Sequence, residues 1–187
     1  MSTGALEGRI ARLEAIADIR SLPPRYAHHY AGLDTDALAG LYADPVTMRT
    51  GAVSSREALR EVFAESCAPH DGVRMAILHA GNHIVHLTDD DRAVGSVYCR
   101  AEVQRGDGSF FHQAIHYGDH YCRRDGVWQF ERQRDHELFY GAPAGIRPNG
   151  LPPANWPERD VGRGTFPRAG GMEETGEVPG DPGPTGR

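Results

Sequence analysis

Two short segments about forty residues apart carry most of the titratable chemistry of this chain. One is His79-Ala80-Gly81-Asn82-His83. The other is Tyr117-Gly118-Asp119-His120-Tyr121, followed by Arg123-Arg124-Asp125-Gly126-Val127-Trp128. Side chains alternate along a strand, so His79, Gly81 and His83 are expected on one face, and Tyr117 and Asp119 on one face. A histidine and an aspartate aimed into one apolar concavity are too costly to bury for stability alone, so the pairing predicts a pocket. Imidazole suits proton transfer near neutral pH. A carboxylate in an apolar cavity can serve as acid or base. The bland alternatives are a His79 bonded to a backbone carbonyl and an Asp119 bonded to an amide or an arginine.

Composition narrows the rest. All 20 basic residues are arginine, which excludes Schiff-base chemistry and a catalytic lysine. This bias also accompanies GC-rich bacterial genomes. Cys67, Cys99 and Cys122 have no metal spacing and read as reduced thiols. His112, His116 and His120 recur every four residues. At about 13 Å per step on a strand they cannot share an ion. His79 and His83 are separated in the same way. No metal site and no cofactor is expected. A formal charge of -6 without a basic patch argues against nucleic acid as a partner. No apolar run approaches the roughly 18 residues of a bilayer span. The opening Met1-Ser-Thr-Gly-Ala-Leu-Glu7 lacks a basic and an apolar region of the signal-peptide kind, so a cytoplasmic protein with no membrane partner is expected.

The elements that must position these residues change period halfway along the chain. Leu6, Ile10, Leu13, Ala17 and Ile19 predict an amphipathic helix over 5–22, with a kink or restart at Pro23-Pro24 before Tyr26, Tyr30 and Leu33. Asp34-Thr-Asp36 caps a short helix over 37–42. A short strand follows over 46–50, and Ser54-Ser-Arg-Glu57 reads as a capping box opening a helix to about Ser66. Four long strands are then expected over 73–88, 92–104, 109–124 and 127–140, separated by turn residues. Helices followed by an antiparallel meander give an α+β domain, a strongly curved sheet closed by helices into a cone. The domain is expected over 1–146. Residues 147–187 form a Pro/Gly-rich tail whose last 20 or so residues have a disordered composition, while the stretch 141–168 keeps Ile146, Leu151, Trp156 and Phe166 that could pack over the domain or a neighbouring subunit.

On those residues the chain resembles the SnoaL-like branch of the nuclear-transport-factor-2-like superfamily. Within that branch the likeness is to gamma-hexachlorocyclohexane dehydrochlorinases and scytalone dehydratase-type proteins. It rests on Tyr121-Cys-Arg-Arg-Asp-Gly-Val-Trp-Gln-Phe130, on Phe139-Tyr140, on Pro143-Ala-Gly145 and on His79-Ala-Gly-Asn82. The resemblance implies a cone-shaped α+β barrel and places His79 at the catalytic histidine. It sets Ala31 at the position of that histidine's aspartate, Tyr26 at a pocket lysine and Gln133 at a pocket arginine. It also implies a bulge that turns Gln133, Asp135 and Glu137 inward.

These strands combine into one expected site. His79 is the base, Asp119 its partner or a second acid/base, and Tyr26 a hydrogen-bond donor to developing negative charge. The pocket is completed by Met48 at its mouth and by His83, Val97, Cys99, Gln113, Ile115, Tyr117, Gln133 and Asp135. The expected protein is a cofactor-free lyase, isomerase or polyketide cyclase-like enzyme acting on a small hydrophobic molecule, and a homodimer or homotrimer through the outer sheet face. The missing aspartate at Ala31 favours the alternative of a non-catalytic small-molecule binder or assembly protein. An epoxide hydrolase would need Asp119, Arg132 or Arg134, and Asp135 together, which requires the last strand to face the other way.

Overall fold

The computed structural model describes residues 2–68 and 72–143, with two further short strands at 155–156 and 159–160. The expectations for Ile146, Leu151 and Phe166, and for a disordered tail, lie outside the described residues. The chain opens with a long helix, α1 (Thr3–Ala31), capped by Ser2, whose side chain accepts the Ala5 N–H. The helix runs through Pro23-Pro24, where a kink or restart was expected. Two backbone donors are lost there. Against that loss, Ile19, Leu22, Pro23, Tyr26 and Ala27 form a buried stripe that holds the segment against the sheet.

Then come α2 (Thr35–Gly40), capped by the Asp34 carboxylate on the Ala37 N–H at 2.9 Å, β1 (Tyr42–Thr47), β2 (Val53–Ser54) and α3 (Arg56–Ser66). The cap of α3 is Ser55, one residue later than the capping box requires, so Glu57 turns to Arg60 at 2.7 Å instead. The meander follows as β3 (Val73–Leu87), β4 (Arg92–Arg105), β5 (Phe110–Arg124), β6 (Val127–Arg132) and β7 (Asp135–Pro143). β8 (Asn155–Trp156) and β9 (Arg159–Asp160) pair separately.

The expected last strand is therefore two. β6 pairs with the end of β5, from Tyr121 to Arg124, and runs parallel to β1. The chain then steps across, with the Gln133 N–H donating to the Thr47 carbonyl at 2.8 Å. β7 pairs with the earlier part of β5, from Phe111 to Gly118. The fold is α+β, with helices first and a mixed, mostly antiparallel sheet in the order β2-β1-β6-β5-β4-β3. The sheet is not closed, because β2 and β3 at its ends do not pair with each other. α1 packs against β3 and β6, and the core lies between that helix and the sheet.

One irregularity decides what the sheet presents to the core. Along β3–β4, Gly81 faces Tyr98 but Ile84 faces Ser96, so Asn82 and His83 oppose a single residue. Asn82 sits at φ +50, in the left-handed region that asparagine tolerates better than most residues. Such a bulge reverses the facing of everything beyond it. Before it, Leu78 and Ala80 pack on the core; after it, Val85 and Leu87 do. His79 is accordingly exposed, paired with the exposed Arg100, and does not share a face with His83. Asn82→Gly should leave urea-unfolding stability within a few tenths of a kcal/mol. Asn82→Val should lower it by about 1–2 kcal/mol, because a β-branched residue is strained in the left-handed region.

Candidate functional site

The most heavily buried polar group in the sheet is an ion pair. Asp119 points inward from β5, and Arg134 enters from the step between β6 and β7. Their side chains are 0% and 2% exposed. The contact is bidentate, Nε to Oδ1 and Nη2 to Oδ2, both at 2.9 Å. The guanidinium lies over the Tyr117 ring at 3.7 Å, with the Tyr26 ring at 4.9 Å and Phe130 at 5.2 Å. A planar guanidinium can stack on rings and grip a carboxylate at the same time, which lysine cannot do. Burial pulls the Arg134 pKa down, but Asp119 more than offsets this and holds the guanidinium above its usual range.

A short relay leads away from the pair. The Tyr121 hydroxyl donates to Asp119 Oδ2 at 3.0 Å and lies 3.0 Å from His83 Nε2. Gly95 makes the approach possible, since a Cβ there would stand 2.9 Å from the Tyr121 ring and 3.1 Å from His83 Nε2. The carboxylate is thus held by an arginine, the bland alternative, and its histidine neighbour through Tyr121 is His83 and not His79. Removing one partner of a buried pair leaves an uncompensated charge. Asp119→Ala should therefore lower stability by about 3–5 kcal/mol in chemical denaturation. Asp119→Leu combined with Arg134→Met should recover much of that loss in a double-mutant cycle.

The Arg134 placement sets the facing of the last strand. Arg134 and His136 point inward, while Asp135 and Glu137 are exposed, opposite to the expected bulge. The reason lies in the ladder: Tyr117 faces His136 and His116 faces Leu138, so the irregularity falls at Glu137. The Asp–Arg–Asp constellation of an epoxide hydrolase is not assembled, because Asp135 faces away from the pair.

Between α1, α3 and the sheet lies a cavity of about 240 Å³. Tyr26 and Tyr30 come from α1, and Val62, Phe63 and Ser66 from α3. The sheet contributes Val73, Leu78, Ala101, Val103, Gln113, Ile115 and Tyr117. Arg49, Arg105, Gln133 and His136 complete the wall, which carries no aspartate or glutamate among the described residues. Arg49 is fixed by its Nε donating to the Arg134 carbonyl at 2.9 Å and its N–H to Gln133 Oε1 at 3.2 Å. Burial raises the Tyr26 hydroxyl to about 12, and raises Tyr30 and Tyr117 as well, so all three stay protonated donors at neutral pH.

His136 is half-buried beside Tyr117, with ring centroids 5.1 Å apart. Burial lowers its pKa, Arg49 and Arg134 lower it further, and Asp135 opposes them. Burial likewise lowers His83, against Asp119. Both imidazoles are more easily protonated in the unfolded chain, so folding stability is full above about pH 6.5 and falls as pH drops below it. A His83→Gln/His136→Gln variant should lose less melting temperature between pH 7.5 and 5 than the parent protein.

Of the candidate residues, Tyr26, Gln113, Ile115, Tyr117 and Gln133 line the cavity. Val97 and Cys99 face inward but are sealed in the core beside it. Met48 packs on the core, and His83 on Tyr121. His79 and Asp135 face away. Arg49, Tyr30 and His136 were not anticipated. Tyr30 stands one helical turn beyond Tyr26, which is a readable signal. His136 becomes visible only once the last strand is split.

Among the described residues no group of His, Cys, Asp and Glu could hold a metal ion, and no helix is long and apolar enough to cross a membrane. A family model described as a SnoaL-like domain matches residues 11–134. No curated protein matches the chain. Among solved structures, hexachlorocyclohexane dehydrochlorinase LinA-type3 from Novosphingobium barchaimii is 21% identical, with 78% of this chain and 99% of that one covered at a TM-score of 0.63. LinA is 22% identical over 74% and 96%, with a TM-score of 0.64. A candidate scytalone dehydratase from Novosphingobium aromaticivorans is 18% identical over 74% and 93%, with a TM-score of 0.63. At these identities the likeness is one of fold.

Proposed function

Since the chain belongs to the SnoaL-like domain family, we propose that it is a cofactor-free acid/base catalyst moving a proton on a small hydrophobic molecule held between α1 and the sheet. The observation that carries this reading is His136, an imidazole kept neutral by burial and by Arg49 on the wall of a largely apolar cavity. Neutral imidazole can take a proton from carbon. Negative charge then develops on a carbonyl oxygen or a leaving group. The Tyr26 hydroxyl donates to it, and the Arg49 guanidinium attracts it from the same wall. Asp119 acts at one remove: it holds Arg134, whose guanidinium supports the Tyr26 and Tyr117 rings. Elimination of water or hydrogen halide, isomerisation and cyclisation all begin with this step.

A second reading, a non-catalytic binder or assembly protein of the same fold, is favoured by one observation. Ala31 stands where the resembling enzymes carry an aspartate, so the dyad that the resemblance implies is not reproduced in its family form. The two readings separate in one assay: halide release from hexachlorocyclohexane and dehydration of a cyclic β-hydroxy ketone, beside binding of each compound. The catalytic reading expects turnover of at least one. His136→Ala and Tyr26→Phe should each lower kcat/KM by about 10²-fold. The rate should be flat above about pH 6.5 and fall only in acid, as His136 takes up its proton. Turnover untouched by His136→Ala would overturn the mechanism. Saturable binding without turnover would establish the binder.

A further inference from the structure

The outer face of the sheet carries a second polar array that the cavity does not use. Ser96 Oγ on β4 lies 2.6 Å from His116 Nε2 on β5. On the other side of the same ring, His116 Nδ1 lies 3.0 Å from Glu137 Oε2 on β7. The ring is stacked on Tyr98, with centroids 4.5 Å apart and planes 19° from parallel. A carboxylate on Nδ1 fixes the proton there and leaves the Nε2 lone pair facing the hydroxyl. We propose that Ser96, His116 and Glu137 form a second, nucleophilic site, in which Ser96 is acylated by small activated esters with an apolar acyl group. This goes beyond the acid/base reading and does not depend on it.

Three features of the surrounding sheet support the assignment. Glu137 is the extra residue of the β5–β7 ladder, and its side chain stands on the outer face beside His116. Gly118, which faces Ser96 across the β4–β5 ladder, leaves the space that Glu137 occupies; a Cβ at that position would collide with its carboxylate. Ile84 faces Ser96 across the β3–β4 ladder, and Tyr98 lies two residues along the same face. These two side chains are 56% and 52% exposed and make an open apolar shelf beside the hydroxyl.

The step balances without a further reactant. Ser96 Oγ attacks the ester carbonyl carbon and passes its proton to His116 Nε2. The bond from that carbon to the alcohol oxygen breaks, and the leaving alcohol takes the proton back from His116. Acyl-Ser96 and free alcohol result. Water attacking the acyl group by the same proton route releases the acid and restores the hydroxyl. Water is a poorer nucleophile for this step, so acyl-Ser96 accumulates.

The test is incubation of the full chain with p-nitrophenyl acetate and butyrate. p-Nitrophenolate release is followed together with the intact mass, and the modified peptide is identified. The expected result is a burst approaching one equivalent, with the acyl group on Ser96. Ser96→Ala should abolish it, and His116→Gln should slow it by about 10²-fold or more. Glu137 is a positioning residue. Glu137→Gln and Gly118→Ala should each lower the acylation rate constant about tenfold or more with the half-saturating ester concentration unchanged, and melting curves should confirm that both variants fold. Acylation on another residue, an equal burst in Ser96→Ala, a rate indifferent to His116→Gln, or no burst at all would overturn the proposal.

Discussion

The buried Asp119–Arg134 pair is the interaction on which the rest of this structure depends. Removing two charges from water costs several kcal/mol per ion even after relaxation. That cost is met only because the geometry is bidentate and the guanidinium is sandwiched by aromatic rings. The pair therefore acts as a register pin. Arg134 must point inward to reach Asp119, and the strand that follows has its facing decided by that one contact. His136 comes inward with it, and Asp135 and Glu137 go outward. Tyr117 and Tyr26 are held by the same guanidinium, so two walls of the cavity lean on a group the cavity never touches.

Charge is distributed in two ways as a result. In the core every charge is compensated, with Asp119 and Arg134 matched at 2.9 Å. On the cavity wall stand Arg49 and Arg105, and the lining among the described residues includes no aspartate or glutamate. Arg49 is oriented by the carbonyl of Arg134 and by Gln133, both of which leave its charge intact. A cavity with unbalanced positive charge, protonated tyrosines and a neutral imidazole favours a ligand on which negative charge can appear. It also disfavours protonation of His136, which keeps that group a base across the neutral range.

Much of the fold was legible from periodicity, and each misplaced residue has a physical cause. The spans of β3, β4 and β5, the cap at Asp34 and the inward set on β4 and β5 follow from alternation and turn chemistry, and Ile115, Tyr117 and Asp119 face inward as alternation requires. Alternation is blind to an inserted residue. A bulge at Asn82 put His79 outside. Asp135 has a different cause: the resemblance implied a bulge ahead of it, whereas the facing of Trp128 and Phe130 carries on to Arg134 and His136 and leaves Asp135 outside. The family likeness marks His79 by sequence position, but position along a strand does not determine facing across a bulge. The asparagine was a visible clue, being among the residues most tolerant of a positive φ. The Arg134 partnership had no local signal, because its partner is 15 residues away and the contact exists only once the sheet has formed. The proline pair in α1 failed as a breaker for a related reason: a local penalty yields to a buried stripe made by distant elements.

The irregularities that frustrate sequence reading are also what gives the sheet two chemically distinct faces. Along β4 and β5, Gly95 faces Asp119 and Ser96 faces Gly118, so each ladder step has one glycine and one polar residue. Gly95 makes room on the inside for Tyr121 and His83, and Gly118 makes room on the outside for Glu137. The chain from Arg134 into β7 then deals its residues alternately, Arg134 and His136 to the interior and Asp135 and Glu137 to the exterior. A shift of one residue in that register would exchange the two sets, stranding Asp119 without its arginine inside and His116 without its carboxylate outside. The inner ion pair is much the stronger contact and sets the register. The outer Ser96–His116–Glu137 geometry is held in place by a partnership on the opposite side of the sheet.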